Sequence, residues 1–252
     1  MKWNSLIDMD ITQYFARDYH GAPFVLFGTV HIATLIVVAL FILGLARFKG
    51  AAESTLRKVR WTLAIVLWLN EIAWHVWNVA IGTWTIQSML PLQLCSVMVW
   101  LTGFTLVSRN YTLYEFSYFL GIGAAIQSLL TPDAGMYGFP HFRYLQPMIS
   151  HGLLVSIGVY MTVVEGFRPT WKSMARVFVA TNLYMLVLYF VNTAIGSNYM
   201  MLNFKPDVPS LLTLMPAWPW YIPCADALAL VILLLLYLPF MVKDWRAKAM
   251  SE

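Results

Sequence analysis

The side chains of this sequence that could do chemistry are few, and they are set within long apolar runs. Cys95 lies in Leu90-Pro91-Leu92-Gln93-Leu94-Cys95-Ser96-Val97-Met98-Val99-Trp100, a segment that opens with a proline. A thiol is a capable nucleophile once a nearby cation or imidazole favours its thiolate form. His75 and His151 are the candidate bases. Glu71 stands four residues before His75, so on a helix the two share a face and the carboxylate can orient the ring. Cysteine, histidine and an acidic orienter together form the arrangement that acyl transfer requires. Either histidine could approach the thiol on the sequence alone. Gln93, Gln127 or a loop backbone N–H would hold the oxyanion. His31, Asn192 and Asp226 are further polar residues within apolar runs, expected to line the same cavity.

Those residues must be positioned by helices in a membrane. Of 252 residues, 60% are hydrophobic and 11% charged, and the mean hydropathy is +0.67, which places the chain among integral membrane proteins. Crossing the hydrocarbon core takes about 20 apolar residues. Segments at 24–46, 61–84, 88–108, 112–131, 146–166, 172–196 and 217–242 meet that length. The expected fold is therefore all-α: a polytopic membrane protein with seven transmembrane helices in one bundle, a single domain over residues 1–252. Residues 1–23 carry Asp8, Asp10, Arg17 and Asp18 and lack a long apolar run, so they read as a short interfacial segment, with no cleavable signal peptide. Residues 132–145 and 197–216, rich in Pro, Gly, Asn and aromatics, read as two substantial outer loops.

Charge sets the expected orientation. Arg47, Lys49, Arg57, Lys58, Arg60, Arg109, Arg168, Lys172, Arg176, Lys243, Arg246 and Lys248 fall on one side, against Lys2, Arg17, Arg143 and Lys205 on the other. The richer side is expected in the cytoplasm, with the N-terminus outside and the C-terminus cytoplasmic. The formal charge of +4 is spread over short connections that meet anionic headgroups, so no nucleic-acid partner is expected. At about 1.5 Å per residue, Cys95 and His31 lie roughly 10 Å inside their spans, His151 roughly 8 Å, and His75 and Asp226 roughly 13 Å. Polar groups at this common depth predict one polar cavity open toward the outer leaflet. The opposite halves are mostly apolar, with Glu115 and Glu165 close enough to helix ends to reach water. A conducting pore would carry polar groups along its whole length. Cys95, His75, His151, His31 and Glu71 could each ligate zinc, making a metal-dependent membrane enzyme an alternative. Their spacing has no tight ligand pattern, so neither a metal nor another cofactor is assigned.

Several strings resemble a known family: Glu71, Leu90-Pro91-Leu92-Gln93-Leu94-Cys95, Tyr118-Phe119-Leu120-Gly121 with Gln127 and Thr131-Pro132, Phe139-Pro140-His141-Phe142-Arg143-Tyr144, His151, and Asn198-Tyr199-Met200 followed by Trp218-Pro219-Trp220-Tyr221. Over roughly residues 60–222 the chain resembles the YwaF-type family of bacterial integral membrane proteins. That family is similar to a eukaryotic TMEM-type acyltransferase family that remodels ether phospholipids. The resemblance implies a Cys95 nucleophile with His151 as its base, and adds His141 and Tyr199 to the cavity residues. Gln93 stands where a His is common, and Ser96 where an Asp is common. The function this implies is a lipid acyltransferase or lipid-ester hydrolase in a bacterial cytoplasmic membrane, with a membrane lipid as substrate. The alternative is a non-enzymatic lipid or small-molecule binder or transporter using the same cavity. Oligomeric state is not legible.

Overall fold

The computed structural model describes residues 11–205 and 211–250. The expected interfacial segment lies partly outside these residues; within them, Ile11–Tyr14 forms a single 3-10 turn. Seven long helices follow, with no strand among the described residues. They are α1 (Thr29–Ala46), α2 (Glu53–Ala80), α3 (Leu94–Ser108), α4, α5 (Phe142–Val163), α6 (Trp171–Ile195) and α7 (Tyr221–Ala249). Helix α4 is continuous through Tyr111–Phe116, a π-helical stretch Ser117–Ile122, and Gly123–Leu130. Four of the seven, α1, α2, α6 and α7, are long and apolar enough to cross a membrane.

Local chemistry explains the ends. Asn110 accepts from the Leu113 N–H at the start of α4, and Thr170 and Ser173 form a capping box on α6, each satisfying amides the first turn leaves unpaired. Helix α6 stops at Gly196, whose left-handed φ of 67° costs a glycine little. Helix α3 starts at Leu94, six residues later than expected. Pro91 disfavours helical geometry in the residue before it, and Leu90 to Gln93 make a turn in which the Leu92 N–H bonds the Leu90 carbonyl.

The core lies among α2, α3, α4 and α5 and includes Leu67, Met98, Leu106, Phe119, Leu154, Ile157 and Met161. Helix α5 is its centre, burying nearly every position over 150–161. Helix α1 buries only His31 and Leu45, and α7 only Tyr221 and Leu233. Those peripheral helices present rows of exposed apolar side chains such as Val37, Leu40, Leu43, Val231 and Leu235.

At the α5 C-terminal end the expectation that Glu115 and Glu165 reach water fails. The Glu165 carboxylate is 1% exposed and is held by Arg60 at 2.7 Å, by Arg109 at 3.1 Å and by the Tyr160 hydroxyl at 2.9 Å. Glu115, also buried, accepts from Ser173 and Arg176. These acids sit at helix ends, but neighbouring helices cover them and bring arginines, as a buried carboxylate requires.

Candidate functional site

Helices α2 and α3 run side by side in opposite directions, with Trp68 against Trp100 and Phe104 and Glu71 against Ser96. This places Cys95, the second residue of α3, beside the middle of α2. The thiol is partly buried, and its polar neighbours are the Ser128 hydroxyl, within hydrogen-bonding reach, and the Glu71 carboxylate. Glu71 is 3% exposed. Its Oε1 makes no hydrogen bond and faces His75 Nε2 at 3.7 Å. One level of the bundle thus collects Glu71, His75, Cys95, Ser96 and Ser128. The same level carries Asn70, whose side chain donates to the Gln146 carbonyl of α5 at 3.1 Å.

No hydrogen bond among the described residues joins the thiol to an imidazole. The histidines differ instead in which nitrogens are already committed. A backbone N–H can only donate and a carbonyl can only accept, so each ring's tautomer follows from its partners. His31 accepts from the Phe27 N–H at Nδ1 and donates from Nε2 to the Leu129 carbonyl at 2.8 Å. His141 accepts from the Arg143 N–H and donates to the Ala16 carbonyl at 2.9 Å. Both rings are fully engaged, pinning α1 to α4 and the N-terminal segment to α5. Burial, aided by the Arg143 charge and opposed by the Ala16 carbonyl, pushes the His141 imidazole below its ordinary value. His75 accepts from Trp84 Nε1 at 3.2 Å, so its proton lies on Nε2, toward Glu71. His151 is the exception. Its Nδ1–H donates to the Pro147 carbonyl at 2.7 Å, leaving the Nε2 lone pair without a hydrogen-bond partner among the described residues. That is the tautomer of a general base. Along α5 its backbone lies about 7 Å beyond Gln146, and helical side chains lean back toward the N-terminus.

The remaining expected cavity residues serve other ends. Gln93 Oε1 accepts from the Met200 N–H at 2.9 Å. Asn192, fully buried, accepts from Ser197 and the Tyr199 N–H and donates to the Tyr199 carbonyl. The Tyr199 hydroxyl donates to the Ile86 carbonyl and accepts from the Leu90 N–H. These three tie the 197–204 loop to the chain entering α3. Asp226 accepts from Asn182, joining α7 to α6. Gln127 donates to its own helix and lines an apolar cavity of about 230 Å³ with Met201, Leu212, Met215 and Leu228. The expected single polar cavity therefore divides into a small polar cluster around Cys95 and a set of loop anchors. Among the described residues no group of three His, Cys, Asp or Glu side chains is placed to hold a metal ion.

Ser128 was not foreseen. A serine one position after Gln127 carries no spacing signal, and only the packing of α4 on α3 brings it to the thiol. The first turn of α3 adds another feature that sequence does not display. Gln93 at its N-cap makes no side-chain cap, and the first helical amide bond runs from Val97 to the Gln93 carbonyl. The amides of Leu94, Cys95 and Ser96 thus remain available beside the thiol, where a helix N-terminus favours negative charge.

An all-helical integral membrane protein with an uncommitted imidazole and a cysteine at a helix N-terminus is the class that fold and site define. The profile of the TMEM164 family matches residues 26–237, and the chain belongs to that family. No curated protein and no solved structure matches it.

Proposed function

We propose that this protein is a membrane-embedded acyltransferase or lipid-ester hydrolase in which Cys95 is the nucleophile and His151 the base. The observation that carries the reading is the free Nε2 lone pair of His151, with Nδ1–H fixed on the Pro147 carbonyl. Among the four histidines of the helical core, His31 and His141 have spent both nitrogens, and His75 has given its lone pair to Trp84. The seven helices all cross the membrane in this reading, with the N-terminus outside, the C-terminus in the cytoplasm and the Cys95 end toward the outer leaflet of a bacterial cytoplasmic membrane. The acyl chemistry comes from the resemblance to the YwaF-type and TMEM-type acyltransferase families.

The Cys95 sulfur attacks the ester carbonyl carbon as its proton passes to His151 Nε2. The oxyanion is met by the open first-turn amides of α3, donors that cost no reorganisation at the moment of reaction. Collapse breaks the bond to the glycerol oxygen, which leaves with the proton from His151. Water or the hydroxyl of a second lipid then attacks the thioester. Thiol and imidazole are brought together when substrate binds, as catalytic hydrogen bonds commonly tighten only in the bound complex. Ser96 and His75 hold Glu71 beside the thiol in the meantime.

The test is acyl release or exchange from labelled phospholipid by the purified protein. Cys95→Ala abolishes turnover, and Cys95→Ser traps or slows it. Turnover that survives in Cys95→Ala would falsify the nucleophile assignment. Lipid binding without turnover in the wild type would favour a binder or transporter instead.

A further inference from the structure

Arg143, at the Cys95 end of the bundle, is a guanidinium whose surroundings are built and whose partner is poor. It is the second residue of α5, and its backbone N–H is held by His141 Nδ1 at 3.0 Å. Its guanidinium lies over the Trp74 ring, 5.2 Å from the centroid, a contact that fixes a planar cation in place. The side chain is 23% exposed, yet the ion pair it makes among the described residues is a single bond to Asp133 Oδ2 at 3.4 Å, and Asp133 is 84% exposed. A guanidinium offers five N–H donors in a fixed fork. One long bond to a solvated carboxylate leaves most of that fork unused, in a protein that covers its other embedded cation, Arg60, with two carboxylates at 2.6 Å and 2.7 Å.

The position relates this cation to the thiol. Trp74 is three residues from Glu71 along α2, so the guanidinium sits about 5 Å along the helix axis from the level of Glu71 and Cys95, toward the end where α5 begins. A planar fork placed over an aromatic ring, one helical turn from a nucleophile, matches a phosphate group a few bonds from an ester carbonyl. We propose that Arg143 is the anchor for the phosphodiester headgroup of a membrane lipid, setting the ester carbonyl at the level of Cys95. The proposal rests on the reading of this site as a lipid site and adds the residue that holds the headgroup: Arg143 positions a lipid by its phosphate. Arg143 binds and positions; it takes no part in proton transfer. Asp133 occupies the fork when no phosphate is present and is displaced by one, since phosphate accepts two parallel bonds where Asp133 accepts one.

The experiment uses the full chain with Cys95→Ala, so that bound lipid is not turned over, in nanodiscs containing either phosphatidylglycerol or diacylglycerol with the same acyl chains. Retained lipid is counted by native mass spectrometry. Phosphatidylglycerol is retained in preference to diacylglycerol. Arg143→Gln reduces that preference roughly ten- to hundredfold by removing charge-assisted bonds. Arg143→Lys, which keeps the charge and loses the fork, retains an intermediate preference and guards against misfolding of the glutamine variant. Asp133→Asn leaves the preference intact or raises it. Glycerol phosphate and inorganic phosphate, added as soluble competitors, fail to displace the lipid; displacement by either would overturn a membrane lipid as the source of the phosphate. A preference that is the same in wild type and Arg143→Gln overturns the anchor. The arms separate the two readings. An inert Cys95 with an Arg143-dependent preference leaves the anchor standing, while Cys95-dependent turnover with no such preference leaves only the catalytic reading.

Discussion

Replacing Glu165 with glutamine tests whether the buried charges at the far end of the bundle are held by design or by accident of packing. The Glu165 carboxylate is 1% exposed and meets Arg60, itself 6% exposed, at 2.7 Å. Arg109 Nε lies at 3.1 Å with a side chain 44% exposed, so it can turn to water when its partner is neutralised. Arg60 cannot. Its other acid among the described residues is Glu53, which is half exposed. Removing one partner of a buried pair costs about 3–5 kcal/mol because the other charge stays buried. With Glu53 still present, Glu165→Gln falls at the low end, about 3 kcal/mol. For a chain of this size that corresponds to a drop of about 6–12 °C in unfolding temperature, read by circular dichroism in detergent. Arg60→Met in the Glu165→Gln background recovers part of the loss, since it removes the stranded charge. A loss below about 1 kcal/mol, the range of an exposed pair, with no recovery in the double variant would refute the reasoning.

Other perturbations separate the roles assigned to individual groups. His151→Gln keeps a donor toward Pro147 but removes the Nε2 lone pair, so turnover falls about 10²–10⁴-fold, whereas His75→Gln affects it less; equal losses in the two variants would count against the tautomer argument. His141 is held neutral by burial with its imidazole below the ordinary value, so the unfolded chain binds a proton more readily than the folded one. Stability from this group is complete above about pH 6.5 and is lost as pH falls from there through the folded value. Protease cleavage of the N-terminal segment pinned at Ala16 therefore accelerates between about pH 7 and pH 5, an acceleration that His141→Asn removes. Gly138 is a tighter steric test. A Cβ there would lie 2.2 Å from the Ala22 carbonyl oxygen and 2.9 Å from the Pro23 carbonyl carbon. Backbone atoms cannot step aside as a flexible side chain can, so Gly138→Ala costs about 1–3 kcal/mol and loosens the same segment at every pH. Unchanged proteolysis would show that the 16–23 stretch does not pack on this loop.

The helices were legible because long apolar runs admit few alternatives, and their boundaries fall within about five residues of expectation except at the starts of α2 and α3 and at the end of α7, which runs on to Ala249. Helix α3 begins late because a proline-led turn can be as apolar as a helix. Helix α2 reaches back to Glu53 through Arg57, Lys58 and Arg60, residues whose charge masks a helical segment in any hydropathy reading. The site was legible as a depth and opaque as a set of partners. Cys95, Glu71 and His75 do meet at one level, since a spacing of four residues and a shared depth leave little freedom. Asn192, Tyr199 and Gln93 stand at comparable depth but are consumed by backbone groups of the 197–204 loop, partners that no side-chain pattern encodes.

The hydropathy of the helices carries a related lesson about where chemistry can be placed in such a fold. The four helices apolar enough to read as spans by composition include α1 and α7, which bury almost nothing inside the bundle. Helices α3, α4 and α5 are enclosed by protein, and they supply Cys95, Ser96, Ser128 and His151. A helix facing lipid must satisfy the bilayer along its outer face, so a polar side chain there stands against hydrocarbon. An enclosed helix answers only to its own backbone and its neighbours, and either can supply the partner: the Pro147 carbonyl one turn back on α5 for His151, and Ser128 of α4 for Cys95. Glu71 sits on α2, which is shared between the two environments, and it faces inward with Leu67 and Asn78. The groups able to react thus sit mostly on the helices that the bundle encloses.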